Sequence, residues 1–85
     1  MFVVRLKRPN EDFDFKTFKS KKGALARLRT AQKLLIDGDL EQCALFDAGA
    51  ADAEHAVEMV SQGKATLIEF NLESNGRPRA SAPTV

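Results

Sequence analysis

The sequence predicts an α+β domain, a two-layer sandwich in which two helices lie on one face of a four-stranded mixed sheet. Three observations support this class. Residues that alternate in polarity indicate strands, apolar residues at three- and four-residue steps indicate two helices, and Pro or Gly separates several of the segments. The predicted order of elements is β-β-α-β-α-β, which allows both helices to bury their apolar faces against the sheet.

The first 18 residues predict a β-hairpin. Residues 2–7 alternate between apolar and other side chains, and residues 13–16 do so again. Between them, residues 8–11 contain a Pro-Asn pair, which is typical of a tight turn. We therefore expect two antiparallel neighbouring strands.

The longest periodic segment is an amphipathic helix between Ser20 and Gly38. The Ser20 hydroxyl can accept a hydrogen bond from the first turn, and Gly38 suits the left-handed position after the last turn. The apolar stripe of this helix consists of Ala24, Leu25, Leu28, Ala31 and Leu35.

The second half predicts one further strand, one helix and a last strand. Residues 42–46 are apolar on both faces, as expected of an interior strand. Residues 50–62 carry a narrow apolar helical stripe, and residues 66–72 alternate. Residues 73–85 show no periodicity and contain two prolines, so we expect a single domain over residues 1–72 followed by a disordered C-terminal tail.

Charge is distributed unevenly along the chain, although its net value is only +1. Residues 1–36 hold ten Lys or Arg and three Asp or Glu, whereas residues 37–72 hold one Lys and eight acidic residues. Opposite halves of this kind favour electrostatic association, either between copies of the chain or within one chain.

The basic residues that could bind a partner surround the predicted hairpin and first helix. They could contact an acidic protein or nucleic-acid phosphates, or they could simply be a solvated surface. The candidate partner-binding residues are Arg5, Lys7, Lys16, Lys19, Lys22, Arg29 and Lys33.

The sheet face without helices is a second candidate surface. It would be partly apolar and partly charged, which fits either a dimer interface or a wet face, and edge strands could also pair between protomers. Its expected residues are Val3, Arg5, Lys7, Asp14, Lys16, Leu67, Glu69 and Asn71, together with either Ala44 or both Cys43 and Leu45.

No catalytic, metal-binding or cofactor-binding motif is present in the sequence. Cys43 is the single cysteine and lies in an apolar strand, so we interpret it as an inert core residue. His55 is the single histidine and has no metal-binding partner at a suitable spacing, so we expect it on the surface. We therefore expect no enzyme, no cofactor and no small-molecule substrate.

We expect a small soluble cytoplasmic protein, since no signal peptide or membrane-spanning run is evident. High alanine content with arginine in the helices is an indication of a bacterial chain. The leading hypothesis is a non-catalytic module for protein interaction or self-association. The alternative is a nucleic-acid-binding module that uses the basic hairpin–helix surface.

Overall fold

The computed structural model describes residues 1–72, and the tail predicted at residues 73–85 lies outside this described part. The α+β class, the single four-stranded sheet and the order β-β-α-β-α-β are confirmed. The elements are β1 (Phe2–Lys7), β2 (Phe13–Phe18), α1 (Lys21–Asp37), β3 (Gln42–Asp47), α2 (Ala53–Ser61) and β4 (Thr66–Leu72).

The sheet has the strand order β2-β1-β3-β4, and all its pairings are antiparallel. The prediction of a mixed sheet is therefore wrong. The reason is that β3 does not pair with β2, the strand before α1. It pairs instead with the far side of β1, so that α1 carries the chain across β1. The strands β1 and β3 form the centre of the sheet, and β2 and β4 form its two edges.

The two helices cover opposite faces of the sheet, so the prediction that they share one face is also wrong. Val4 and Leu6 of β1 pack against α1, whereas Val3 packs in a separate cluster with Ala56 and Val60 of α2. Successive strand residues point to opposite faces, and the central strands carry fully buried neighbours such as Val3 and Val4 of β1 and Ala44 and Leu45 of β3. Each face therefore needs its own cover, and the layers are helix, sheet and helix. We call these faces the α1 side and the α2 side.

Helix α1 has the caps that the sequence predicts. The Ser20 side chain accepts a hydrogen bond from the Gly23 backbone N–H at 3.1 Å. At the other end, Gly38 adopts a φ of 87°, in the left-handed region, and its backbone N–H reaches carbonyls of the last turn. The 17 residues of α1 span about 25 Å. That length carries the chain from one end of the sheet to the other.

Helix α2 is shorter than predicted, with nine residues. It begins at Ala53, because the carboxylate of Asp52 accepts a hydrogen bond from the His55 backbone N–H at 2.9 Å and caps the helix there. The strands that α2 connects, β3 and β4, are antiparallel neighbours. Asp47 at the end of β3 pairs with Thr66 at the start of β4, so α2 leaves and rejoins the sheet at the same end.

A β-bulge changes the phase of β4. Leu45 of β3 pairs with Glu69, but the next residue, Phe46, pairs with Leu67, so that Ile68 is the extra residue on β4. Simple alternation would put Leu67 on the same side as Glu69. The bulge instead places Leu67 on the α2 side and Glu69 on the α1 side.

The main core lies between α1 and the sheet, and a single substitution tests it. Leu28 is completely buried there, so Leu28→Ala should lower the free energy of unfolding by about 2–5 kcal/mol through lost burial and a residual cavity. Ile36 lies on the same helix but is 60% exposed, so Ile36→Ala should change stability by less than about 0.5 kcal/mol. Urea unfolding measures both. Equal losses in the two variants would contradict the placement of α1.

Candidate interaction surface

Helix α2 covers only one end of the sheet on its side. It packs with Met1, Val3 and Phe15, which lie where β1 begins and β2 approaches its end. Among residues 1–72, no helix lies above the other end of this side. This follows from the connection, since α2 leaves and rejoins the sheet at one end and is too short to reach the other.

Arg5 lies near the centre of the uncovered part. Its Cζ atom is 4.6 Å from the ring centroid of Phe13 on β2 and 5.0 Å from that of Phe46 on β3. Both distances are within the range of cation–π attraction. The guanidinium is thus held between two rings from strands on either side of β1, and its position is set by the sheet.

The polar atoms of Arg5 are incompletely satisfied within the described residues. The guanidinium Nη2 donates to Gln42 Oε1 at 3.4 Å, whereas the buried Nε has no hydrogen-bond partner. Arg5 forms no ion pair with any residue from 1 to 72. Partial burial lowers the pKa of the Arg5 guanidinium, but arginine stays charged at neutral pH. A partly desolvated cation therefore lies on this surface without an anion.

Large apolar side chains surround this cation and remain accessible. Phe13 is 44% exposed, Leu67 52% and Phe70 40%. Cross-strand partners share a side of the sheet, and the register therefore groups Phe70 and Leu72 of β4 with Arg5. We call this surface the open face, and its residues are Arg5, Phe13, Leu67, Phe70 and Leu72, together with Phe46, whose largely buried ring contacts Arg5 and also packs in the cluster under α2.

The open face contains no carboxylate. By register and alternation, none of the described strand residues on the α2 side is Asp or Glu. The second cation there, Lys7, is already engaged, because its Nζ lies 3.2 Å from Glu41 Oε1 and donates to the Arg8 carbonyl. Within the described part of the chain, this surface is therefore apolar around one positive charge that has no ion-pair partner.

The predicted basic residues do not form one surface. Arg5 and Lys7 lie on the α2 side, whereas Lys16 of β2 lies on the α1 side. The others are exposed around α1 or at its entry, namely Lys19, Lys22, Arg29 and Lys33. Two of the seven thus lie across the sheet from the remaining five.

Part of the predicted composition of the helix-free sheet face is wrong. Val3 is buried under α2, and Asp14, Lys16, Glu69 and Asn71 are on the α1 side. Val3 is covered because the two helices lie on opposite faces of the sheet. The hairpin register puts Asp14 and Lys16 on the α1 side, and the bulge separates Glu69 and Asn71 from Leu67. Two aromatic residues of the open face, Phe13 and Phe70, were not among the residues expected on the helix-free face. The signal that could have identified Phe13 is its pairing with Lys7 across the hairpin.

Cys43 and His55 lie apart, on opposite sides of the sheet. Cys43 is buried in the cluster beneath α1, and His55 is exposed on α2. Burial raises the pKa of the Cys43 thiol above its ordinary value, opposed by a hydrogen bond with Asn71. Within residues 1–72 there is no cluster of three or more His, Cys, Asp or Glu side chains that could hold a metal ion.

No helix in the described part of the chain is both long enough and apolar enough to cross a membrane. Comparison with family models, with curated proteins and with solved structures found no match for this chain.

The buried thiol allows a direct test of the sheet. Because burial raises the pKa of Cys43 and hinders access, its reaction with a disulfide reagent near pH 8 should be slower in the native protein than in urea by at least about ten-fold. A matched control is Ser61→Cys in a Cys43→Ala background, since Ser61 is exposed at the end of α2. That thiol should react at similar rates in both states. Rapid native labelling of Cys43 would contradict its buried position.

Proposed function

We propose that this protein is a non-catalytic binding module whose open face takes up a polypeptide segment that presents apolar side chains around a carboxylate. The observation that carries the proposal is Arg5, a partly buried cation held between Phe13 and Phe46 without an ion-pair partner in the described chain. Charge complementarity selects an anionic partner, and the exposed rings select an apolar one.

The shape of the surface favours a short extended or helical segment. Phe13 and Phe70 lie on the two edge strands, three strand spacings or about 14 Å apart. Ala44, which pairs with both Arg5 and Phe70, is fully buried, so a partner would contact the exposed rings on either side of it. Apolar side chains of a partner can pack against Phe13 and Phe70 while a neighbouring carboxylate reaches the guanidinium.

A second copy does not fit this surface face to face. A symmetric contact places the same patch on both partners, so two Arg5 side chains would approach each other without a carboxylate between them. Like charges that are brought together in an interface oppose binding. The open face therefore calls for a chemically different partner.

Selection of peptides from a random displayed library by the immobilised protein tests this proposal. Enriched sequences should contain Asp or Glu next to aromatic or aliphatic residues. A synthetic peptide of that type should bind Arg5→Gln at least about ten-fold more weakly, because a charge-assisted hydrogen bond contributes roughly 1.5–3 kcal/mol. The matched control is Ile36→Ala, which removes an exposed apolar side chain on the α1 side and should leave the affinity unchanged.

Two results would contradict this assignment. One is enrichment of peptides that lack carboxylates. The other is a peptide whose amide-shift changes map to α1 rather than to Arg5, Phe13 and Phe70.

Nucleic-acid binding is a second candidate function, supported by the composition of α1. This helix carries five Lys or Arg residues and a single acidic residue, Asp37, at its end. Lys22 and Lys33 are exposed without an ion-pair partner among residues 1–72, whereas Arg29 lies 3.9 Å from Glu69. Phosphate contacts by such lysines give an affinity that falls with rising salt.

Reversing the charges of two lysines on α1 distinguishes nucleic-acid binding from peptide binding. Each phosphate contact contributes about −0.9 to the slope of log affinity against log salt, so Lys22→Glu/Lys33→Glu should make that slope shallower by about two. Fluorescence anisotropy with a labelled single strand and a labelled duplex measures it, and Arg5→Gln is the control. Equal binding by the double variant and the parent chain would remove α1 from consideration.

A further inference from the structure

The two edge strands of the sheet differ in how they are protected against pairing with another chain. Edge β2 carries two charged residues, Asp14 and Lys16, and Lys19 follows it directly. Edge β4 contains neither Lys nor Pro, and three of its apolar residues, Leu67, Ile68 and Phe70, are exposed. Charges, prolines and bulges are the usual means of protecting an edge, and β4 has one bulge and one charged residue, Glu69.

The one charge on β4 is already held by its own chain. Glu69 Oε2 accepts hydrogen bonds from Gln32 Nε2 at 2.5 Å and Asn71 Nδ2 at 3.3 Å. It also lies 3.9 Å from Arg29 Nη1. These contacts direct the carboxylate toward α1, so its charge does not hinder another strand from pairing with the outer edge of β4.

We propose that β4 pairs antiparallel with β4 of a second copy, which joins two sheets into one of eight strands. Antiparallel pairing of a strand with itself generates a two-fold axis and closes the assembly at two chains. It also satisfies the backbone donors and acceptors along the outer edge of β4. This inference rests on the edge strand alone and does not depend on the proposed peptide binding.

The sequence of β4 selects one register. In an antiparallel pair with this two-fold symmetry, directly opposite residues lie on the same side of the sheet. The axis must therefore pass midway between the two copies of one residue. Centring on Glu69 places two carboxylates opposite each other. Centring on Phe70 places Phe70 opposite Phe70 of the second copy, and each Glu69 opposite an Asn71. It also brings Ile68 opposite Leu72, so apolar residues meet and no like charges do.

The arrangement has a geometric consequence for the open face. The two-fold axis of an antiparallel edge pairing is perpendicular to the sheet, so both copies turn the same side in the same direction. The two Arg5 side chains are then five strand spacings apart, or about 24 Å. The dimer therefore presents two open faces side by side.

Sedimentation equilibrium over a wide concentration range tests the dimer. A single seven-residue edge buries less than the roughly 800 Å² per partner of a standard interface, so we expect a weak, reversible dimer. Ile68→Lys should raise its dissociation constant by at least about ten-fold by placing a charge on the edge. The matched control is Phe13→Lys, because Phe13 is a similarly exposed apolar residue on the opposite edge, and it should leave dimerisation unchanged.

Three outcomes would overturn the inference. They are a monomer at millimolar concentration, equal weakening by Ile68→Lys and Phe13→Lys, and a dimer that dissociates as salt rises. The last would assign association to the oppositely charged halves of the chain.

Disulfide trapping tests the register. In a Cys43→Ala background, Phe70→Cys should cross-link to itself because this position lies on the axis. Leu72→Cys is the control, since the two copies of residue 72 would be about 14 Å apart, which exceeds disulfide reach. Cross-linking through Leu72→Cys and not through Phe70→Cys would overturn the register.

The variant Arg5→Gln distinguishes this inference from the proposed function. It should lose the acidic peptide and keep the dimer, because Arg5 lies on β1, two strand spacings from β4. Loss of the dimer in Arg5→Gln would contradict the assignment of dimerisation to the β4 edge.

Discussion

The structure depends on the pairing of β1 with β3, the two central strands, each of which carries fully buried side chains on both sides of the sheet. Val3 and Val4 are adjacent on β1, point to opposite sides of the sheet and are both fully buried. Ladder hydrogen bonds to neighbours on each side leave β1 without an exposed edge. Such a strand is stable only when both of its faces are covered by other apolar side chains. The placement of one helix on each side follows from this requirement.

Local features of the fold can be predicted from the sequence because each depends on a few neighbouring residues. The start and end of α1 follow from Ser20 and Gly38, and the hairpin turn follows from Pro9 and Asn10, whose φ of 63° asparagine tolerates well. The layer arrangement was not predictable in the same way. The doubly apolar character of β3 was visible, but no local signal states which helix covers which face.

The surfaces were predicted less well than the elements because they depend on register. A one-residue change of phase moves a side chain to the other side of a sheet, and the bulge at Ile68 does so for Leu67. Charge counting along the chain has the same weakness. The ion pairs Lys7–Glu41 and Arg29–Glu69 each join the basic half to the acidic half, so the two halves partly neutralise each other within one molecule.

The length of α2 decides how much of the sheet is accessible. Its nine residues span about 13.5 Å, and both of its connections lie at one end of the sheet. Added turns would extend the helix over Arg5 without altering any strand pairing or the course of α1. Insertions or deletions within α2 are therefore a simple evolutionary route between a protein whose sheet is covered on this side and one whose sheet is accessible. The rest of the fold stays constant.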